Sequence, residues 1–357
     1  MTFDVHGFVE RVKSVLPGQR PIALHEPCFG PMEQAFVDEC IRGGWVSGNG
    51  PYVQRFEQML AERLGVPHVI ATNTGTAALH TALRVVGVGP RDEVMMPALT
   101  FAATATAVAQ CGGVPYFTGD CPGTVTAPIR AKLPRALVRV ALFGHLEPAW
   151  ADFKFDCPTV VDAAEALGSS CKGRPVAAFG DIAILSFNGN KIVTTGGGGA
   201  IVTRRTELAV HARHVVNTAR VEHPFRVWHN DIAPNYRMPD LNAALGCAQL
   251  ARLDEFLEKK RALAERYFAA FENFPGVECL REPPTCASNY WLNAVLVPDA
   301  AARDNVCLAL NAEGIQARAA WDLIADLPPY RYCGRDDLTR ARDFQDRLVC
   351  LPSGAGL

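Results

Sequence analysis

Apolar positions recur at helical spacing from Met32 to Arg42, with Met32, Ala35, Phe36, Cys40 and Ile41 on one side, which predicts an amphipathic helix. Gly43-Gly44 ends it. The glycines and proline of the loop Trp45–Pro51 exclude a continuation, and a second amphipathic helix is predicted from Val53 to Leu64. Short apolar runs then alternate with longer helical patterns: strand His68–Ala71, helix Ala77–Val86, strand Glu93–Met96, helix Thr104–Cys111, strand Val114–Phe117. Further strands are predicted at Leu137–Ala141, Thr159–Val161, Ile182–Phe187 and Gly199–Thr203. Such alternation specifies an α/β fold, a mostly parallel sheet flanked by helices. Sheets of this kind bind ligands beyond the carboxyl ends of their strands, so chemistry is sought in the residues just after each strand.

From about Leu250 the pattern changes to a long charged helix, Ala251 to Phe274, a strand-like run Asn289–Pro298 and a helix near Arg303–Glu313. The expected division is a large domain over 1–250, including the N-terminal segment, and a smaller C-terminal α+β domain over 251–357. No internal repeat or low-complexity linker separates them, so close packing is expected.

Composition narrows the function. Of 357 residues, 49% are hydrophobic and 20% charged, enough to bury a large core and too apolar for a disordered chain. With 35 basic against 37 acidic residues there is no overall positive field to hold nucleic acid or an anionic membrane. The N-terminal residues lack the apolar core of a secretory signal. The most apolar long stretch, Val94 to Ala109, is interrupted by Pro97 and is too short to cross a bilayer. A cytoplasmic location and small-molecule partners are expected. The 12 cysteines include no C-x-x-C and read as separate buried thiols of a reducing compartment. His211 and His214 lie three apart on a predicted helix, with no third ligand at a defined spacing, so no metal site is expected.

Three segments carry chemistry. Asn73-Thr74-Gly75-Thr76-Ala77 joins a strand to a helix, where free amides and a glycine suit an anion; the ordinary reading is a threonine-capped turn. Asp162 ends the apolar run Thr159-Val160-Val161; the ordinary reading is a helix cap, the functional one a partner for a protonated ring nitrogen. Lys191 follows Ser186-Phe187-Asn188-Gly189-Asn190 and precedes a four-glycine run, Gly196–Gly199. A lone lysine is usually a solvated charge, but one withdrawn from water is a nucleophile or base. Phosphate cradle, acid and amine in this order are what pyridoxal 5'-phosphate requires.

The segments GWVSGNGPYVQRFE, NTGTAALHTAL, PALTFAATA, LFGH, VVDAAEALGS, FGDIAILSFNGNKIVTTGGGGAIV, NYRMPDLNAALGCAQL and NYWL resemble the DegT/DnrJ/EryC1/StrS sugar aminotransferases, of the pyridoxal-phosphate-dependent transferase fold type I. The similarity is strongest to the branch aminating UDP-4-keto-6-deoxy-N-acetylglucosamine-type sugars on the way to bacillosamine and legionaminic acid. It implies that Lys191 forms the Schiff base and shuttles the proton, with pyridoxamine 5'-phosphate as the intermediate cofactor form. Asp162 would meet the pyridine nitrogen, Glu165 the phenolic oxygen and Phe101 the ring face. Gly75, Thr76, Ala77 and Ser186 would hold the phosphate, which Asn235 would reach from a neighbouring subunit in a homodimer with shared sites. Trp45, Ser47, His145, His229 and Arg318 would meet the sugar nucleotide; Arg318 reads equally as a diphosphate clamp or a solvated charge. L-Glutamate is the expected donor.

Two departures from the family pattern stand out. The stretch between Phe117 and Val160 is short, with the helix after LFGH reduced to about Glu147–Phe153, and the C-terminal domain is expected to lack the family's last helix. Alternatives are another keto substrate (a GDP- or dTDP-linked sugar, or a cyclitol), a deoxysugar dehydratase, against which Lys191 stands because those relatives carry histidine there, and a non-catalytic binding module.

Overall fold

A computed structural model describes residues 3–48, 50–123 and 133–357. Seven strands form the central sheet: β1 (His68–Thr72), β2 (Glu93–Pro97), β3 (Val114–Thr118), β4 (Ala136–Val140), β5 (Thr159–Asp162), β6 (Ile182–Ser186) and β7 (Gly199–Thr203). Their order is β1–β7–β6–β5–β4–β2–β3. The five from β6 to β3 run parallel, and β7 is antiparallel to both its neighbours. The reversal follows from the connection: β6 returns to β7 through a loop with no crossover helix, with Ser186 opposite Gly199. That loop carries Lys191.

Side chains alternate across the sheet with period two. Ile182, Ile184 and Ile201 face a cluster with Leu79 and Ala82 of helix Gly75–Val85, Val108 of helix Ala102–Gln110 and Val215 of helix Thr206–Val216. Ala183, Leu185, Ala200 and Val202 face the opposite cluster, with Phe56 and Leu60 of helix Pro51–Leu64 and Ala244 and Cys247 of helix Asp240–Ala251. Both faces are covered, which is why the inner strands are mostly apolar.

A four-stranded antiparallel sheet forms the second layer system: β8 (Glu278–Cys279), β9 (Asn293–Leu296), β10 (Arg318–Ala319) and β11 (Leu348–Leu351), ordered β8–β9–β11–β10. β11 lies inside this sheet, preceded by helix Thr339–Arg347.

The structure corrects four expectations. The N-terminal segment belongs with the C-terminal half: helix Val5–Val15, capped by Asp4 accepting from the Gly7 amide at 2.8 Å, buries Phe8, Val9 and Val12 against Leu263, Tyr267, Val306 and Leu310. The long helix expected from Ala251 to Phe274 runs Leu253–Ala270, set off at Arg252 from the preceding helix Asp240–Ala251. The helix expected at Glu147–Phe153 is one 3-10 turn, Pro148–Ala151. Buried Arg139 of β4 ties that segment down, donating to the carbonyls of Trp150, Phe179 and Phe153 at 3.0, 2.9 and 2.8 Å. Finally, Cys171 and Cys286, opposite each other on two paired ribbons, are joined as a disulfide rather than standing as separate thiols.

Candidate active site

The β6–β7 loop is shaped by its own backbone. The Thr195 amide bonds the Phe187 carbonyl, the Phe187 amide bonds the Gly198 carbonyl, and the Lys191 amide bonds the Asn188 carbonyl, all at 2.9 Å. Gly196 turns the chain at φ +78°, a conformation that favours glycine. The loop thereby turns Lys191 inward, and its Nζ lies 3.3 Å from Glu165 Oε1 and 4.0 Å from the centroid of the Trp291 ring.

Asp162 is the last residue of β5 and is buried. Its Oδ2 accepts the Thr104 hydroxyl at 2.8 Å and its Oδ1 the Ala164 amide at 3.2 Å. Burial pushes its carboxyl above the usual range, opposed by these donors and by the Lys191 charge. Glu165, also buried, accepts the Phe143 amide at Oε2 over 2.9 Å. Burial raises its carboxyl too, against the pull of Lys191.

At the start of helix Gly75–Val85 the closeness of Ser186 explains the glycine: a Cβ on Gly75 would lie 2.8 Å from Ser186 Cβ. The Thr74 hydroxyl caps the helix by accepting the Ala77 amide at 3.0 Å. The Ala77 N–H is thus already used, and Ala77 is not among the residues that border the cavity. Gly75, Thr76, Phe101, Asp162, Glu165, Ser186, Lys191 and Arg318 all border one cavity of about 330 Å³. Its wall also includes Trp291 and Trp321, whose roles the sequence did not signal. Phe101 meets Trp321 edge-on at 5.8 Å, and the Arg318 guanidinium lies over the Trp321 ring at 4.9 Å.

The remaining candidates lie elsewhere in the chain. Trp45 is exposed, its carbonyl accepting the Cys40 thiol; the Ser47 carbonyl accepts the Asp240 amide at 3.1 Å. His229 is exposed and bonded through Nδ1 to the Thr218 carbonyl at 2.8 Å, and Asn235 bridges to Asn217. None of these four borders the cavity of its own chain. His145 does not border the cavity either. It is buried away from the cavity, edge-on to Tyr290 at 5.7 Å, and neither ring nitrogen finds a partner among the described residues. The cause is the turn after β4: Phe143 and Gly144 take φ of 55° and 92°, so Phe143 packs on Trp291 and Trp321 while His145 is carried beneath Tyr290. Burial pushes its ring down to about 4.

Gly75 and Thr76, at the N-terminus of helix Gly75–Val85, border the cavity beside Ser186, and a helix N-terminus with a hydroxyl next to it suits a phosphate. A basic ring nitrogen fits the buried Asp162 carboxylate, and an aldehyde fits Lys191. With the strand order described, this donor set defines a pyridoxal-phosphate-dependent transferase of fold type I. The model of the DegT/DnrJ/EryC1/StrS aminotransferase family matches residues 27–357, and the chain belongs to that family. GDP-perosamine synthase of Caulobacter vibrioides is 33% identical over 351 residues, covering 94% of either chain. The dTDP-4-dehydro-2,3,6-trideoxy-D-glucose 4-aminotransferase of Saccharopolyspora spinosa is 32% identical over 361 residues, covering 93% of this chain and 91% of its own. Helicobacter pylori PseC, an aminotransferase involved in the biosynthesis of pseudoaminic acid, shares the fold with a TM-score of 0.88 at 25% identity over 95% of each chain. Among the described residues no helix is long and apolar enough to cross a membrane.

Proposed function

We propose that this aminotransferase carries an amino group from L-glutamate to C4 of a 4-keto-6-deoxy sugar nucleotide, with a UDP-linked N-acetyl sugar as substrate, in the cytoplasm. The observation that carries the reading is the placement of one amine, Lys191, between a buried carboxylate pair and an aromatic wall. When bound, pyridoxal phosphate supplies an electrophilic carbon and an electron-accepting ring. Asp162, held by Thr104 and the Ala164 amide, would keep a proton on the ring nitrogen. Gly75, Thr76 and Ser186 would hold the phosphate, and Phe101 would stack on the ring. Lys191 would form the Schiff base and hold and return the proton moved in each half-reaction, with Glu165 as its neighbouring acid. Trp291 and Trp321 keep water from these groups, and Arg318 offers a cation to the carboxylate or diphosphate of the substrates.

The active species is proposed to be a homodimer. Phe225, Val227, Trp228 and Ile232 are all strongly exposed around a two-stranded ribbon, Arg220–Val221 with Trp228–His229, an apolar surface suited to a second copy of the chain. Trp45, Ser47, His229 and Asn235, which miss the cavity of their own chain, would then serve the partner's. A monomer in size-exclusion chromatography that retained full turnover would sink this part.

The relatives named for GDP- and dTDP-linked sugars favour a second reading, in which the nucleotide is GDP or dTDP. Turnover with glutamate and each of the three keto sugars decides between them: a kcat/KM at least about tenfold higher for the UDP sugar supports the first reading, and the reverse order the second.

A further inference from the structure

Outside the groups assigned above, one buried cation stands out. Lys260, on helix Leu253–Ala270, is only 1% exposed and pairs with no carboxylate among the described residues. Its ammonium contacts His25 Nε2 at 3.0 Å and donates to the carbonyl of Trp291 at 3.2 Å and to that of Ser353. Three segments distant in sequence thus meet on one nitrogen. Burying an ammonium without a counter-ion costs several kcal/mol, and aligned carbonyl dipoles recover only part of that. Burial indeed pushes Lys260 down to about 7. A merely packed position would be filled more favourably by an apolar residue.

The Trp291 end of this network reaches the reacting amine. Asn289 Oδ1 accepts the Trp291 amide at 2.9 Å, so the residue is held at its N–H by Asn289 and at its carbonyl by Lys260. The indole Nε1 donates to the Asn190 carbonyl at 2.8 Å, next to Lys191, and the ring lies 4.0 Å from Lys191 Nζ. The titratable groups facing the network are His25 from the N-terminal segment, Tyr267 on the same helix, and Lys191 with Glu165 beyond the indole.

We propose that Lys260 is a positioning residue for Lys191: by fixing the Trp291 carbonyl it sets the indole that supports both the Asn190 backbone and the reacting amine. The inference rests on the reading of Lys191 as the Schiff-base lysine, which has its own test below. It places a control point for the chemistry on helix Leu253–Ala270, outside the residues that border the cavity.

The test uses the cofactor-loaded protein and the variants Lys260→Met, Lys260→Gln and Trp291→Phe, with the Lys260→Met/Trp291→Phe double variant. The readouts are the pH midpoint of the visible absorbance, the rate and KM of its bleaching by glutamate, and the melting temperature. Lys260→Met is expected to keep bound cofactor, to move the midpoint by at least about half a pH unit and to slow bleaching about tenfold, with KM within about twofold. Trp291→Phe is expected to do the same, and adding Lys260→Met to it to change bleaching by less than about twofold. Lys260→Gln, which keeps a donor though on a side chain one atom shorter, is expected to restore part of the loss. A lowered melting temperature with unchanged midpoint and bleaching would overturn the proposal. So would additive effects in the double variant, or a Gln variant as slow as the Met variant. Should Lys260→Met not fold, the Gln and Trp291→Phe proteins decide by the same criteria. Failure of the lysine reading itself would show differently, as cofactor absorbance and turnover surviving in Lys191→Ala.

Discussion

Thr104 donates its hydroxyl to Asp162 across 2.8 Å, joining the first turn of helix Ala102–Gln110 to the carboxyl end of β5 beneath the cavity. With the Ala164 amide on its other oxygen, the carboxylate has no freedom to rotate. Asp162→Asn keeps the shape but cannot hold a proton on a ring nitrogen by charge, so turnover should fall about a thousandfold while cofactor absorbance persists. Thr104→Val removes one donor from a buried carboxylate. It should lower stability by about 1–3 kcal/mol, read by urea unfolding, and activity by a smaller factor than Asp162→Asn.

Glu165 faces Lys191 at 3.3 Å and is itself held by the Phe143 amide. In Glu165→Gln the amide oxygen still accepts from Phe143, while the charge beside Lys191 disappears. The expected result is a protein that binds cofactor but bleaches with glutamate about ten to a hundred times more slowly. Full speed in stopped-flow absorbance would remove Glu165 from the reaction.

His145 ties stability to pH. Its folded value of about 4 lies below the ordinary 6.5 because of burial, so between these limits the unfolded chain binds a proton that the folded chain refuses. Stability from this group is therefore present above pH 6.5 and lost as pH falls toward 4, a loss of about 2 kcal/mol between pH 7 and pH 5. His145→Phe should shrink the drop in urea midpoint between those two pH values and leave glutamate bleaching at pH 7 unchanged. An identical pH dependence in the variant would contradict the assignment.

Arg139 holds three carbonyls and lies near the rings of Trp150 and Phe155, at 5.6 and 5.5 Å. Replacing it with methionine leaves those carbonyls without their donor, and about 2–4 kcal/mol of stability should be lost. The cofactor spectrum should not change, since Arg139 does not border the active-site cavity. Calorimetry and absorbance on one preparation check both halves.

The parts of the site readable in the chain are those lying directly after strands. Asp162 stands out because an apolar run ends in a charge, Lys191 because a lone cation sits between a strand and a four-glycine run, and Gly75 because a glycine opens a helix. Trp291 and Trp321 were not assigned a place because they enter from the small domain, more than a hundred residues from Asp162, with no local periodicity pointing back. Thr104 carries no sign of its use in its alanine-rich helix; only its contact with β5 reveals it. His145 misled because a positive φ at Phe143, a non-glycine residue, leaves no trace in residue type. Helix Val5–Val15 was passed over for a similar reason: its apolar face of Phe8, Val9, Val12 and Val15 is short, and its partners lie some 250 residues later.

The central claim is a ping-pong amine transfer through Lys191. The most direct test follows the visible spectrum of the cofactor-loaded protein as L-glutamate and then UDP-4-keto-6-deoxy-N-acetylglucosamine are added to one cuvette. The account predicts that glutamate bleaches the band, that the keto sugar restores it, and that Lys191→Ala shows neither change. Bleaching without restoration by the UDP sugar, but with restoration by a GDP- or dTDP-linked keto sugar, would contradict the proposed substrate. No band at all in folded, reconstituted protein, or an unchanged cycle in Lys191→Ala, would contradict the mechanism itself.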